Sequence, residues 1–208
     1  MSLSFLSPAE AAQSGSFQPV ARSPMSRRQA EAGARFDERD GWRVPVALPG
    51  EDALLATVGI ADLSHLGKLE VRGAGDGAGG QTSAGSDVGV LASYAISPRR
   101  TLVLCETAVT GALREQLAEQ HGFVLDVTAA YGVLALAGPQ ADTLLRRLTH
   151  LHSFPASGEV AHVNGVHVLE RPAGYWLVVP QELGDYLWEV AVDRAQPLGG
   201  GPVGVDVL

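Results

Sequence analysis

From Thr101 to Val190 the chain alternates short strand patterns with helical ones, which restricts it to folds in which sheets carry helices on a face. Thr101 to Cys105 reads as a strand, and Val109, Leu113 and Leu117 then recur at helical spacing until Gly122 closes the helix. Phe123 to Val127 and Tyr131 to Ala137 are strands. Gly138-Pro139 opens a helix carrying Leu144, Leu145 and Leu148, with proline tolerated in its first turn. Val160 to Val163 and Val166 to Leu169 flank Asn164-Gly165, a pair suited to a two-residue turn with positive φ at both centres. Tyr175 to Val179 is a strand, and Leu183, Leu187 and Val190 mark a last helix. Hairpins among the strands point to an α+β fold, with a mainly antiparallel sheet and packed helices. That sheet is expected to include residues 66–72, 101–105, 131–137, 160–169 and 175–179.

The first half is more irregular. Residues 1–25 are rich in Ser, Ala, Pro and Gln and are expected to be a mobile arm, leaving residues 26–208 as a single domain. Ser26 is placed to cap a helix over residues 27–34. Glu51 to Val58 reads as a short helix with acidic residues in its first turn and Gly59 as a left-handed C-terminal cap. Ile60 to Asp62 and Lys68 to Arg72 read as strands flanking a Ser64-His65 loop. Residues 73–89 are dominated by Gly, Ala, Ser and Asp. They have too little apolar area to offset the cost of ordering, so an exposed flexible loop is expected.

Composition excludes several partner classes. A net charge of −8 argues against nucleic acid, which needs a concentrated basic face. Arg22, Arg27, Arg28 and Arg35 are interspersed with Glu31, Asp37 and Glu38, as on a solvated face. The single cysteine, Cys105, excludes intrachain disulfides and cysteine-rich metal sites. No apolar run is long enough to cross a membrane, and no secretory signal opens the chain, so a cytoplasmic location is expected.

Gly41-Trp42, followed by the string Val58-Gly59-Ile60-Ala61-Asp62-Leu63-Ser64-His65-Leu66-Gly67-Lys68, resembles the folate-binding domain of the glycine-cleavage T-protein (aminomethyltransferase) family. The likeness resumes at Leu102 to Leu104, at Tyr131 to Ala141, at Arg171 to Pro180 with Leu187-Trp188-Glu189, and at Gly201 to Leu208. It implies two intertwined ferredoxin-like halves around a folate cavity, tetrahydrofolate as cofactor and a role in one-carbon metabolism. The family's hairpin with an Asp-Asp pair, which holds its catalytic carboxylate, has no counterpart over residues 73–100. The family's folate-clamping glutamate also has no counterpart, and its C-terminal barrel domain is expected to be absent. The truncated pattern resembles the gamma subunit of heterotetrameric sarcosine oxidase.

Asp62, Ser64 and His65 are the first candidates for lining a pterin cavity. Equally, Asp62 and Ser64 would cap local backbone amides while His65 packs beside the strand ends. Tyr94, Tyr131, Tyr175 and Trp176 offer ring faces for a pterin, or ordinary core packing. Arg171 suits a carboxylate, such as a glutamate tail, or is an exposed strand-end charge. The cofactor-binding set is therefore Asp62, Ser64, His65, Tyr94, Arg171 and Tyr175, with no catalytic residue assigned. His162 and His167 would face each other across an Asn164-Gly165 turn, but only Glu159 or Glu170 could add a ligand, so no metal site is expected.

Two functions follow from the resemblance. One is an accessory subunit of a folate-linked amine oxidase or demethylase, partnered by the other subunits or by a second copy as a homodimer. The other is a stand-alone tetrahydrofolate-dependent aminomethyltransferase or demethylase. The missing hairpin carboxylate favours the first and predicts no transferase activity from the isolated chain.

Overall fold

The computed structural model describes residues 19–73, 81–83 and 89–208. Residues 1–18 of the expected arm, and 74–80 and 84–88 of the expected glycine-rich loop, lie outside the described residues. Two parts of those predicted segments are ordered instead. β1 (Ala21–Arg22) pairs in parallel with β3 (Trp42–Ala47), which also pairs with β2 (Arg35–Arg39), and Met25 is fully buried in the core. β6 (Gln81–Ser83) pairs with β7 (Val90–Ser97).

The expected single sheet is two sheets. One runs β11 (Ala156–Val160), β12 (Val163–Arg171), β13 (Gly174–Pro180), β10 (Tyr131–Ala137), β4 (Gly59–Asp62), β14 (Gly201–Pro202). The other runs β6, β7, β8 (Arg100–Cys105), β5 (Gly67–Arg72), β9 (Phe123–Asp126). All pairings in these two sheets are antiparallel except β14 with β4. The sequence places strands well, but their partners depend on where the chain crosses from one sheet to the other. It crosses twice, between β4 and β5 and between β9 and β10.

Alternation along the strands then sorts the side chains into layers. Ile60, Leu134, Leu136, Val168, Leu177 and Val179 pack outward under α4 (Ala141–Leu148) and α5 (Gly184–Ala195). Leu69, Val71, Val103 and Cys105 pack on the opposite outer face, under Leu113 and Leu117 of α3 (Thr110–His121). Between the sheets lie Ala61, Val133, Ala135, Leu169 and Val178 against Ala92, Tyr94, Leu102 and Leu104.

Three local expectations are corrected. α1 is Ser26–Glu31 with Ser26 inside it. No side chain caps its first turn, and just before it Ser23 Oγ accepts from the Met25 amide at 3.0 Å. α2 is Glu51–Leu55, and Gly59 belongs to β4. The left-handed glycine is Gly50, at the start of α2, and Glu51 in its first turn accepts from the Leu48 and Gly204 amides. In the β11–β12 hairpin the turn is Ala161-His162, with φ of 49° and 66°, and Asn164-Gly165 forms a bulge opposite Glu159. Gly165, at φ 77°, makes the bulge accessible. The hairpin register is set by cross-strand packing of Val160, Val163 and Val166, which are all buried, and this outweighs the local turn preference.

Candidate functional site

The Asp62 to Lys68 string forms the seam where the two crossovers meet. Leu63 donates its amide to the Val133 carbonyl, and the Val133 amide donates to Ser64 Oγ at 3.0 Å. Asp62 Oδ1 accepts from the Ser64 amide at 2.9 Å, and its Oδ2 accepts from Gln29 Nε2 of α1 at 2.8 Å. Asp62 therefore faces the helix layer and anchors α1. Lys68 donates its Nζ protons to the carbonyls of Ser64 at 2.8 Å and Thr128 at 3.1 Å, and its amide to Thr128 Oγ1 at 3.0 Å. Burial pushes Lys68 down to about 7 even though Asp62 and Asp126 act the other way. His65 is lowered by burial as well, and its Nδ1 is enclosed without a partner. Asp62 and Ser64 are thus committed to backbone and neighbour, in the backbone-capping role that their residue types allow.

Tyr94 belongs to a second bridge between the sheets. Its hydroxyl lies 2.6 Å from Ser157 Oγ on β11, and that Oγ lies 2.6 Å from His167 Nδ1 on β12. The His167 ring is flanked by Tyr94, with centroids 5.5 Å apart, and by Tyr131 at 6.1 Å. Burial lowers the His167 pKa, and Arg100 lowers it further. His167 is buried and Ser157 exposed, so the chain leads from the space between the sheets to its rim. Each of the three groups can donate or accept, so a proton can pass either way along it. Beside it, Glu70 is buried and held ionised by Arg100, whose Nη2 sits 2.6 Å from Oε2, and by Arg72.

The remaining candidates lie elsewhere. Arg171 stacks 4.3 Å over the Trp176 ring and donates Nη1 to the Leu91 carbonyl at 2.9 Å, reaching from one sheet to the other. It shares the inner face of β12 with His167, four residues away, or roughly 13 Å along the strand. Tyr175 points to the opposite face, donating to Asp142 Oδ1 of α4 at 3.2 Å and packing edge-on against Phe154. His162 and His167 do not face each other. His162 sits in the exposed turn, paired with Glu159, while His167 is across from Ser157. Among the described residues no group of three or more His, Cys, Asp or Glu is placed to hold a metal ion.

Sequence reasoning missed Ser157, Lys68, Glu70 and Arg100, and read His167 only as a possible ligand. The signal was present in β5, where Lys68, Glu70 and Arg72 alternate with Leu69 and Val71. A period of two makes one face polar, and the usual inference turns that face to solvent. Here both faces are covered, so Lys68 and Glu70 line an interior while Arg72 reaches its edge.

No family model matches the chain. It is 27% identical over 225 residues to an aminomethyltransferase of Frankia alni, covering 88% of this chain and 60% of that protein. An aminomethyltransferase of Mycobacterium tuberculosis is 28% identical over 217 residues. The chain thus spans about 60% of the length of the curated relatives it matches. Among solved structures, the glycine cleavage system aminomethyltransferase T of Bartonella henselae superposes with a TM-score of 0.66 at 18% identity, covering 90% of this chain and 60% of that one. A chain of the heterotetrameric sarcosine oxidase of Corynebacterium sp. U-96 superposes with a TM-score of 0.62 at 18% identity, covering 87% of this chain and 97% of that one. No described helix is long and apolar enough to cross a membrane. The chain is thus similar in sequence to aminomethyltransferases, and its fold resembles that of aminomethyltransferase T and of a chain of sarcosine oxidase.

Proposed function

We propose that this chain binds tetrahydrofolate between its two sheets and acts in folate-linked one-carbon transfer, as a tetrahydrofolate-dependent aminomethyltransferase or demethylase. The observation that carries this reading is the Tyr94–Ser157–His167 bridge, set in a chain alike to aminomethyltransferases over 88% of its length. The residue types suit the cofactor: hydrogen-bonding side chains stand among apolar ones, with the Tyr131 and Trp176 rings on the same inner face. Tetrahydrofolate, when bound, supplies the nitrogen that accepts the one-carbon unit. Tyr94, Ser157 and His167 would hold its polar ring edge and move a proton to the rim. Burial keeps His167 neutral and able to take that proton. Arg171 has N–H groups beyond the one given to Leu91, and would hold a tail carboxylate. Titration calorimetry of the full chain with tetrahydrofolate tests the reading. Saturable binding that weakens in Tyr94→Phe is expected, and wild-type protein with no saturable heat would overturn it.

A second reading is an accessory subunit of an amine oxidase or demethylase complex. The match along 97% of a sarcosine oxidase chain favours it, as does the missing Asp-Asp hairpin over residues 73–100. The likeness to aminomethyltransferases backs the transferase reading better. Turnover of N-methylglycine with tetrahydrofolate by the chain alone would decide for the transferase. Binding without turnover would decide for the subunit.

A further inference from the structure

The outer face of the six-stranded sheet carries a groove unrelated to the space between the sheets. It encloses about 460 Å³ beside α5, between the last turn of α4, the loop after it and the β11–β12 turn. Its α5 wall is Tyr186, Val190 and Arg194, spaced i, i+4 and i+8, so they form one stripe roughly 12 Å long. Tyr186 is 41% exposed, among the more exposed large apolar side chains of the described residues.

The groove reverses the charge of the molecule. The chain carries −8 overall, yet three arginines line this groove against a single carboxylate, Glu159, which lies 3.2 Å from His162 Nδ1. Arg146 is held by Asp142. Arg147 gives Nη1 to the Arg194 carbonyl at 3.2 Å, and among the described residues no carboxylate pairs with Arg147 or Arg194. Two arginines with open N–H groups therefore stand at one end of an apolar stripe, and His150 stands beside them. Arginine is well suited to carboxylates, and arginine and tyrosine are both enriched in binding hot spots.

We propose that this groove docks an acidic, amphipathic segment of a partner protein, with apolar side chains on Tyr186, Val190 and Leu151 and carboxylates on Arg147 and Arg194. The α5 stripe supplies the apolar part and the arginine end fixes the direction of the segment. Long-range attraction to an acidic partner is then local, since the rest of this surface repels it.

The test uses the full chain and a fluorescein-labelled amphipathic peptide of leucine and glutamate, read by anisotropy. Binding is expected to weaken about tenfold or more in Arg147→Glu/Arg194→Glu. It should also weaken as NaCl rises from about 50 to about 300 mM. Tyr186→Ala, at a half-exposed site, should weaken it without disturbing the fold, which circular dichroism checks. No binding at low salt would overturn the proposal, as would equal binding by the charge-reversed variant. Full competition by inorganic phosphate at matched charge would reduce the groove to a small-anion seat and overturn it too. None of these outcomes depends on tetrahydrofolate binding, which is measured separately.

Discussion

Two of the polar bridges that tie the sheets together are built in opposite ways. At the crossover seam, Asp62 and Ser64 accept from backbone amides and from Gln29, and Lys68 donates to backbone carbonyls. At the rim, Tyr94, Ser157 and His167 bond only to one another in the bonds that bridge the sheets, and one of them is exposed. A side chain that satisfies a buried amide cannot release it without leaving a costly unpaired group. A chain of hydroxyls and an imidazole can exchange one partner for a ligand at little cost. The seam is therefore the structural bridge and the rim is the one suited to chemistry, although the seam is the more conspicuous string in the sequence.

The sharpest way to break this distinction is Lys68. Its folded pKa of about 7 lies below its ordinary 10.5, so between those values the unfolded chain holds a proton that the folded chain does not. Stability contributed by this group is lowest below pH 7, rises with pH and is complete above 10.5. Urea denaturation should show wild type gaining up to ~5 kcal/mol relative to Lys68→Met across that window. Parallel profiles for the two proteins would mean that Lys68 is solvated and the seam is open.

Next in size is Asp62→Ala. It strands the Ser64 amide and Gln29 Nε2, both buried, and should cost about 3 kcal/mol. A loss below about 1 kcal/mol by denaturant midpoint would show the seam rearranging freely.

The rim should behave in the reverse sense. Tyr94→Phe removes one hydroxyl and should cost only about 1 kcal/mol of stability. It should nevertheless weaken tetrahydrofolate binding about tenfold. Because burial depresses His167 below 6.5, affinity should hold through neutral pH and fall only below that value, once the imidazole is protonated. His167→Gln should abolish this acid limb. An unchanged limb in the variant would remove His167 from the site.

The smallest effect belongs to the hairpin that positions Ser157 and His167. Ala161 holds φ 49° in the turn, a strained value for a residue with a Cβ. Ala161→Gly should shift stability upward by roughly 0.5 kcal/mol, with tetrahydrofolate affinity unchanged, as measured by thermal melting and calorimetry.

Sequence legibility follows the same division. The seam was readable because Asp62, Ser64, His65 and Lys68 are adjacent in the chain. Even so, adjacency suggested a cavity lining, whereas crossover geometry gave them backbone partners. Ser157 and His167 were not readable as a pair with Tyr94, since 63 residues separate Tyr94 from Ser157. Asn164-Gly165 correctly announced a hairpin, but the turn lies at Ala161-His162, because burying three valines outweighs a turn preference.

By itself, the sequence determined the strands and helices of the second half, because hydrophobic periodicity and glycine punctuation act over a few residues. It also determined the α+β class and the family likeness. Only the tertiary structure decided that the strands form two sheets rather than one, and which polar face turns inward. It alone joined Tyr94, Ser157 and His167, and gathered Arg147, Arg194 and Tyr186 around one groove. These outcomes depend on where the chain crosses between layers, and a crossing is fixed by contacts between distant residues, which local pattern does not encode.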